Sequence, residues 1–386
     1  MGILATGLSY GPPVLRDAEV DASLVSELQA AIEDQRSIIN IVPGEGDVMG
    51  VWVFNGDVYA FRNKSGGATA GMHKSTATGW EEIDLGTALN FDGTTASGEP
   101  IPGDTGTATT IKGDSSGAEG DLMGITYYGE WTTGAAGAMV LTNITGTFSD
   151  NEDLNMPLLA YNSGSIEISE GDTIVGASSG KTAVVTSVTI SSGTIGDGDA
   201  AGYISVKNNT GTWTASEAIN INGVDHATVN GSSQPSNIKV AVADGTQYAQ
   251  DIQPGGTYEF TNYNFRGETT GFTMYGVNTV DNAFSWDGTT FIKYQTGMET
   301  DTPEHISAHQ KHLFLSYPNG SIQHSSIVTP NVWNAVTGAA ELAIGDDVSG
   351  FSTEVNNVMS VFTRNDAYML YGTSAADWEL RKFHAG

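Results

Sequence analysis

The chain has 386 residues, 15 Lys and Arg against 45 Asp and Glu for a formal charge of −30, and no Cys. A chain this acidic is neither a general binder of nucleic-acid phosphates nor a partner of anionic membrane, both of which require Lys and Arg. Without Cys, disulfides, zinc ribbons and thiol catalysis are excluded. The length suits two or three domains at about 100–200 residues each, and 7 Trp, 14 Tyr and 13 Phe supply cores that a disordered chain lacks.

Residues 1–46 begin with an irregular arm that contains Pro12 and Pro13. Met1–Thr6 lacks the charged region and apolar core of a signal peptide. Gly2 and Thr6 fit a myristoylation pattern, but no polybasic segment supports it. No apolar run approaches the ~18 residues that a spanning helix needs. A helix is predicted from Asp21 to Arg36, with Asp21 as N-cap and Leu24, Leu28 and Ile32 on one face. Pro43 and Gly44 end the segment.

Residues 47–85 read as a first propeller-like β meander. Val51–Phe54 and Val58–Phe61 flank Asn55-Gly56. That pair signals a hairpin, because a type I′ turn needs positive φ at both central residues. Trp80 and Ile83 mark a further strand.

Residues 86–250 form an inserted block rich in Gly, Thr, Ser, Ala and Asp, and residues 86–235 carry 17 acidic residues against three Lys. The block repeats itself. Thr110–Gly117 corresponds to Thr173–Gly180 at an offset of 63, and Thr145–Phe148 to Thr210–Trp213 at an offset of 65. Glu152 and Leu154 likewise match Glu217 and Ile219. Alternating stretches such as Ala183–Ile190 give two copies, at about 105–160 and 166–230, each expected as a small β barrel or sandwich. Residues 251–386 return to meander style, with turns near Asn278–Asn282, at Asn319-Gly320 and at Asn365-Asp366, roughly 40–46 residues apart as in propeller blades. Val48–Trp52 is echoed by Val358–Phe362. The predicted fold is therefore all-β: an interrupted β-propeller-like meander with an inserted pair of small β modules and a short N-terminal helix.

Sites with the look of chemistry have plainer readings. Gly176-x-x-x-Gly180-Lys181-Thr182 is one residue short of a P-loop and lies between strand-like flanks, which makes it a Gly-rich turn. His305, His309 and His312 have zinc-like spacing only on a helix, and the flanks favour a strand entering a hairpin. Asp150–Asp153 and Asp197–Asp199 lack EF-hand spacing and read as solvated turn tips. Asp287–Thr290 reads as a hairpin turn. With 45 acids a glycosidase pair can always be drawn, so it carries no weight. No catalytic, cofactor-binding or metal residue is assigned, no cofactor is expected, and the chain is read as no enzyme.

Pro303–His309, Lys311–Ser316, Ser321–Ser325, Trp333, Gly345–Asp347 and Val361–Gly372 follow one another in an order that resembles the blades of tail nozzle (tubular) proteins of short-tailed bacteriophages. The resemblance covers about 130 residues at the C-terminal end and, more loosely, 47–85. The inserted block resembles Ig-like or barrel modules of phage structural proteins. The resemblance implies a structural virion protein of the phage tail, forming a homo-hexameric ring through which viral DNA passes without specific binding. Adjacent tail or adaptor ring proteins and tail fibres would be its partners, with no membrane anchoring. Nozzle propellers usually run on beyond a point such as Gly386, so the resemblance implies either a propeller of few blades or an incomplete set. A negative lumen would give phosphates no partners and let DNA slide, and the loops around Asp346, Asp347 and Glu354 are the first candidates to line it. The arm and helix would dock to the adjacent ring. The alternative is a receptor- or glycan-binding tail or adhesion protein, with Tyr127, Tyr128 and Trp131 on exposed loops for sugar stacking.

Overall fold

The computed structural model describes residues 40–95, 99–100, 102, 109–207, 209–231, 236–267, 271–352, 358–374 and 376–383, preceded by Ser26, Glu27, Gln29, Ala30 and Glu33. The fold is all-β, 53% strand, with no helix of 7 or more residues among the described residues. Most of the helix expected from Asp21 to Arg36 lies outside the described residues; the five described positions within it are helical.

Sheet I is an antiparallel meander in sequence order: β1 (Glu45–Phe54), β2 (Asp57–Asn63), β3 (Ala70–Ser75) and β4 (Trp80–Glu82). Its first hairpin closes at Asn55 and Gly56, with φ of 50° and 86°, the left-handed values the Asn-Gly pair is there to accept.

The next twelve strands form one continuous sheet: β5 (Thr87–Asp92), β6 (Thr109–Gly113), β7 (Glu119–Tyr128), β8 (Ala136–Thr145), β9 (Asp153–Gly164), β10 (Thr173–Gly176), β11 (Thr182–Ser192), β12 (Ala200–Lys207), β13 (Ala218–Ile221), β14 (Val224–Val229), β15 (Ser236–Ala243) and β16 (Tyr248–Ala249). The pairings run in two closed antiparallel circuits. One passes β5–β8–β7–β6–β9–β15 and back to β5. The other passes β9–β12–β11–β10–β13–β14 and back to β9. β9 belongs to both. Because successive side chains point to opposite faces, Leu154, Met156 and Leu158 enter the first core, while Leu159 and Tyr161 enter the second.

Three further four-stranded meanders follow. Sheet II holds β17 (Glu259–Tyr263), β18 (Thr273–Val277), β19 (Phe284–Trp286) and β20 (Phe291–Lys293). Sheet III holds β21 (His305–His309), β22 (His312–Tyr317), β23 (Ser321–His324) and β25 (Ala340–Ala343), with β24 (Val332–Trp333) between the last two in sequence. Sheet IV holds β26 (Val348–Phe351), β27 (Met359–Thr363), β28 (Ala367–Tyr371) and β29 (Glu379–Lys382). The first strands of successive sheets are neighbours, β1 beside β17, β17 beside β21 and β21 beside β26.

Alternation chains the four sheets face to face. Met274 of β18 packs with Phe54, Phe61 and Met72 of sheet I, while Tyr275 and Val277 pack with Leu313, Leu315 and Tyr317 of sheet III. On β22, Phe314 turns the other way and meets Val348, Met359 and Leu370 of sheet IV. Polar bonds pin the seams. Trp52 Nε1 donates to Asn262 Oδ1 at 2.8 Å, and Asn262 Nδ2 donates to the Val53 carbonyl at 2.8 Å. Asn319 and Gly320 form another left-handed Asn-Gly turn (φ 66° and 79°), and the Asn319 N–H donates to Asp347 Oδ1 at 2.9 Å.

The inserted unit is docked on sheets II and III. β24 leaves sheet III and pairs in parallel with the end of β7, Val332 with Tyr127 and Trp333 with Tyr128. Asn331 Nδ2 donates to the Ile125 carbonyl at 2.6 Å, and Gln250 Nε2 bridges the carbonyls of Leu85 and Phe291 at 2.7 and 2.9 Å.

Phe61 is fully buried at the seam of sheets I and II, with ring centroids of Tyr258, Phe260 and Phe284 at 4.8, 5.2 and 5.6 Å. Phe61→Ala should destabilise this seam by about 3–5 kcal/mol, read as a lowered urea midpoint, whereas Val53→Ala on the exposed face should shift it little.

Candidate functional site

The turns after β6 and β10 carry the same arrangement. The N–H groups of Ser115 and Ser116 donate to Glu152 Oε2 at 3.1 and 2.8 Å, and the Ser116 hydroxyl and Ser149 N–H donate to Oε1, each at 2.7 Å. In the second turn the N–H groups of Ser178 and Ser179 donate to Glu217 Oε2 at 2.8 and 2.7 Å, and the Ser179 hydroxyl and Thr214 N–H donate to Oε1 at 2.7 and 2.6 Å. Gly113 and Gly176 are required beneath them, since a Cβ would strike the carboxylate and the Ser116 or Ser179 hydroxyl. Burial alone pushes both carboxyls up, but the hydrogen bonds outweigh it and hold them below the usual carboxylate range. Consecutive N–H groups of this kind form an anion-binding nest. In the Gly176–Thr182 turn the anion is the chain's own Glu217, so an incoming phosphate would meet a carboxylate.

The other acidic turns are similarly engaged. Asp150 Oδ1 accepts from the Gly245 N–H at 2.8 Å, and Asp153 pairs with Lys239 at 2.7 Å. Asp197 and Asp199 accept from the Thr194 hydroxyl and N–H at 2.9 and 2.8 Å. Asp287 Oδ1 accepts from the N–H groups of Thr289 and Thr290, both at 2.7 Å. Asp346 accepts from Asn365 Nδ2 at 3.2 Å, so with Asp347 it secures the seam of sheets III and IV, while Glu354 lies outside the described residues.

Of the three aromatics expected on exposed loops for sugar stacking, two are buried. Tyr127 and Trp131 are buried and meet edge to face at 5.2 Å in the first core, with the Tyr127 hydroxyl donating to Glu99 at 2.8 Å. Their rings fill a closed circuit of strands and cannot face a ligand; only Tyr128 is partly open.

The histidines divide in function. His305 Nδ1 lies 2.7 Å from Glu259 Oε2, joining the first strands of sheets II and III, and this hydrogen bond raises its pKa against the opposing effect of burial. His309 faces His312 across the β21–β22 hairpin. His312 is stacked edge-on to His324 at 5.1 Å, and both rings meet Trp378 of sheet IV, at 4.9 and 4.2 Å. The Nδ1 atoms of His312 and His324 face the Ser325 carbonyl, and their Nε2 atoms are buried without a partner. Burial lowers both pKa values, that of His324 to about 4. His324 was not singled out by sequence; its only signal is the alternation of Ile322 and His324 on the buried face of β23. No group of three or more potential ligands for a metal occurs among the described residues.

A cleft opens where three units meet: sheet II, the first core of the inserted unit and the loop Val328–Asn331. It has a volume of about 570 Å³, within the range typical of ligand sites. No local motif marks it, because its walls come from three segments, at 123–125, 265–294 and 328–331, that are distant in sequence.

His324 is neutral in the fold and titrates at its usual 6.5 when unfolded, so its contribution is complete above pH 6.5 and is lost as pH falls through about 4. The loss amounts to about 3 kcal/mol at about 1.4 kcal/mol per pKa unit. Urea midpoints should fall over this window, and His324→Leu should flatten the slope. In the nests, Glu217→Gln should speed amide hydrogen exchange at Ser178 and Ser179 at least tenfold and leave Ser115 and Ser116 protected, since it replaces one acceptor oxygen with a donor at a cost of about 1–3 kcal/mol.

No protein-family model matches the chain, and no curated protein sequence matches it.

Proposed function

We propose that the chain is a structural subunit of a bacteriophage tail, of the nozzle type, which assembles head to tail into a ring around the path of DNA exit. The observation that carries this reading is the row of four meander sheets, each chained to the next through a shared core with first strands side by side. We read the sheets as propeller-like blades, and the two closed circuits as small barrels inserted between the first and second blades.

The ends of the row support assembly. Val51 and Val53 of sheet I are more than half exposed, and Phe362 and Tyr371 are open on sheet IV. No core joins sheets I and IV among the described residues. Two different apolar faces on one chain are what a heterologous, ring-closing contact requires. Ring neighbours would be further copies of the chain, with adaptor-ring and tail proteins above and below. The charge of −30 per copy suits a conduit that must not hold phosphates. The inserted unit carries much of it, which leaves a smaller share for any lumen.

Native mass spectrometry of the purified protein tests the reading. A hexamer is expected, and Val53→Asp together with Phe362→Asp should reduce it to monomer. A monomeric or trimeric wild type would overturn the assignment.

A further inference from the structure

The cleft between the inserted unit and sheet II has a chemistry that the conduit reading does not use. One wall is the first core's edge at Met123–Ile125, and another is the loop Val328–Asn331. The third wall, from sheet II, brings hydroxyls at Thr273, Ser285, Thr289 and Thr290. Phe272 lies on this lining and is 52% exposed, an uncovered ring in a cleft otherwise rich in hydroxyls. Arg266 and Asp287 are both exposed on the same lining, and the charges of both act on the buried Tyr275. Asp287 uses Oδ1 for the turn bonds to Thr289 and Thr290, and Oδ2 takes no part in them.

This set selects among ligand classes. A nucleic acid or polyanion is repelled by a chain of charge −30 with one Arg in the cleft. A purely apolar ligand would cover the exposed guanidinium of Arg266 and carboxylate of Asp287 without giving either a partner. A ligand with dense hydroxyls and small apolar faces satisfies all of it: a guanidinium and a carboxylate can each bond a vicinal diol, and an exposed ring can cover the C–H face of a sugar. The volume of about 570 Å³ accommodates a short chain of sugars.

We propose that this cleft binds a short neutral oligosaccharide, with Phe272 stacked on a sugar ring and Arg266 and Asp287 bonding its hydroxyls. The site lies within one copy of the chain, so it does not depend on ring assembly. Free oligosaccharide and the terminal sugars of a cell-surface polysaccharide share this chemistry.

The test is a printed array of neutral and acidic oligosaccharides probed with the full chain, followed by calorimetric titration of the strongest neutral hit, free and as a terminus of its parent polysaccharide. Binding to neutral sugars is expected, weakened at least tenfold by Phe272→Ala and by Arg266→Ala. Phe272→Tyr should restore it, and Tyr203→Ala, an exposed aromatic on the second circuit, should leave it unchanged. Both Phe272 and Arg266 are exposed, so the thermal midpoints of their variants should match wild type. No neutral hit, retention of acidic sugars or peptides alone, or binding indifferent to Phe272 and Arg266 would overturn the proposal. Native mass of the same variants reports on the ring independently, so the two readings can fail separately.

Discussion

A four-stranded meander cannot stand alone in water: it exposes two faces and has too few strands to bury either. Everything in this chain follows from covering those faces. Each inner sheet sends alternate side chains in opposite directions, so that β18 contributes Met274 to one core and Tyr275 and Val277 to the next, and β22 divides Leu313 and Phe314 in the same way. The sheets are therefore links rather than modules, and no seam can be removed without stripping a face from the sheet beyond it. Polar groups then fix the register that apolar packing alone leaves loose. The reciprocal Trp52–Asn262–Val53 bonds, the Glu259–His305 pair and the Asn319–Asp347 bond each sit at a different seam.

The inserted unit meets the same requirement by closing its strands on themselves. The two nests make this duplication visible at the atomic level. A Gly, two Ser donors and a carboxylate reappear with four matching bonds, although Ser149 of one copy is Thr214 in the other and the first copy adds a bond from the Ser115 hydroxyl. A buried carboxylate is tolerated because every oxygen is met by N–H or O–H donors, which turns a desolvation cost into a specific lock on the turn. The histidines at the seam of sheets III and IV are the opposite case. His312 and His324 are accommodated as neutral rings, because burial disfavours their charge and no acid among the described residues offsets it.

What the sequence revealed was local. Asn55-Gly56 and Asn319-Gly320 are legible because positive φ is demanded within the pair itself, and the hairpin at His305–Tyr317 follows from Thr302-Pro303 before it and the apolar run Leu313–Leu315. The repeat was legible because Gly113 and Gly176, and Glu152 and Glu217, must be kept together for either nest to form. What remained hidden depends on distant partners. Tyr127 and Trp131 look like loop aromatics until β5, β8 and β15 close around them. Val332-Trp333 gives no sign that it will leave its own sheet to pair with residues about 200 positions earlier. The cleft is invisible for the same reason, since sheet II, β7 and the loop at 328–331 acquire a common surface only on folding.

The sharing of β9 has a mechanical consequence. Two domains joined by a linker can swing, because rotation about a few backbone bonds breaks nothing. Here the join is the interior of a strand, paired with β6 at Leu154 and Asn155 and with β15 as far as Leu158, then with β12 from Leu158 onward and with β14 at Tyr161 and Asn162. Any bend between the two cores must break ladder bonds and expose Leu158 or Leu159. The inserted unit is thus built as a stiff lever rather than a tethered bead, with its base held by the β7–β24 pairing and the Gln250–Phe291 bond.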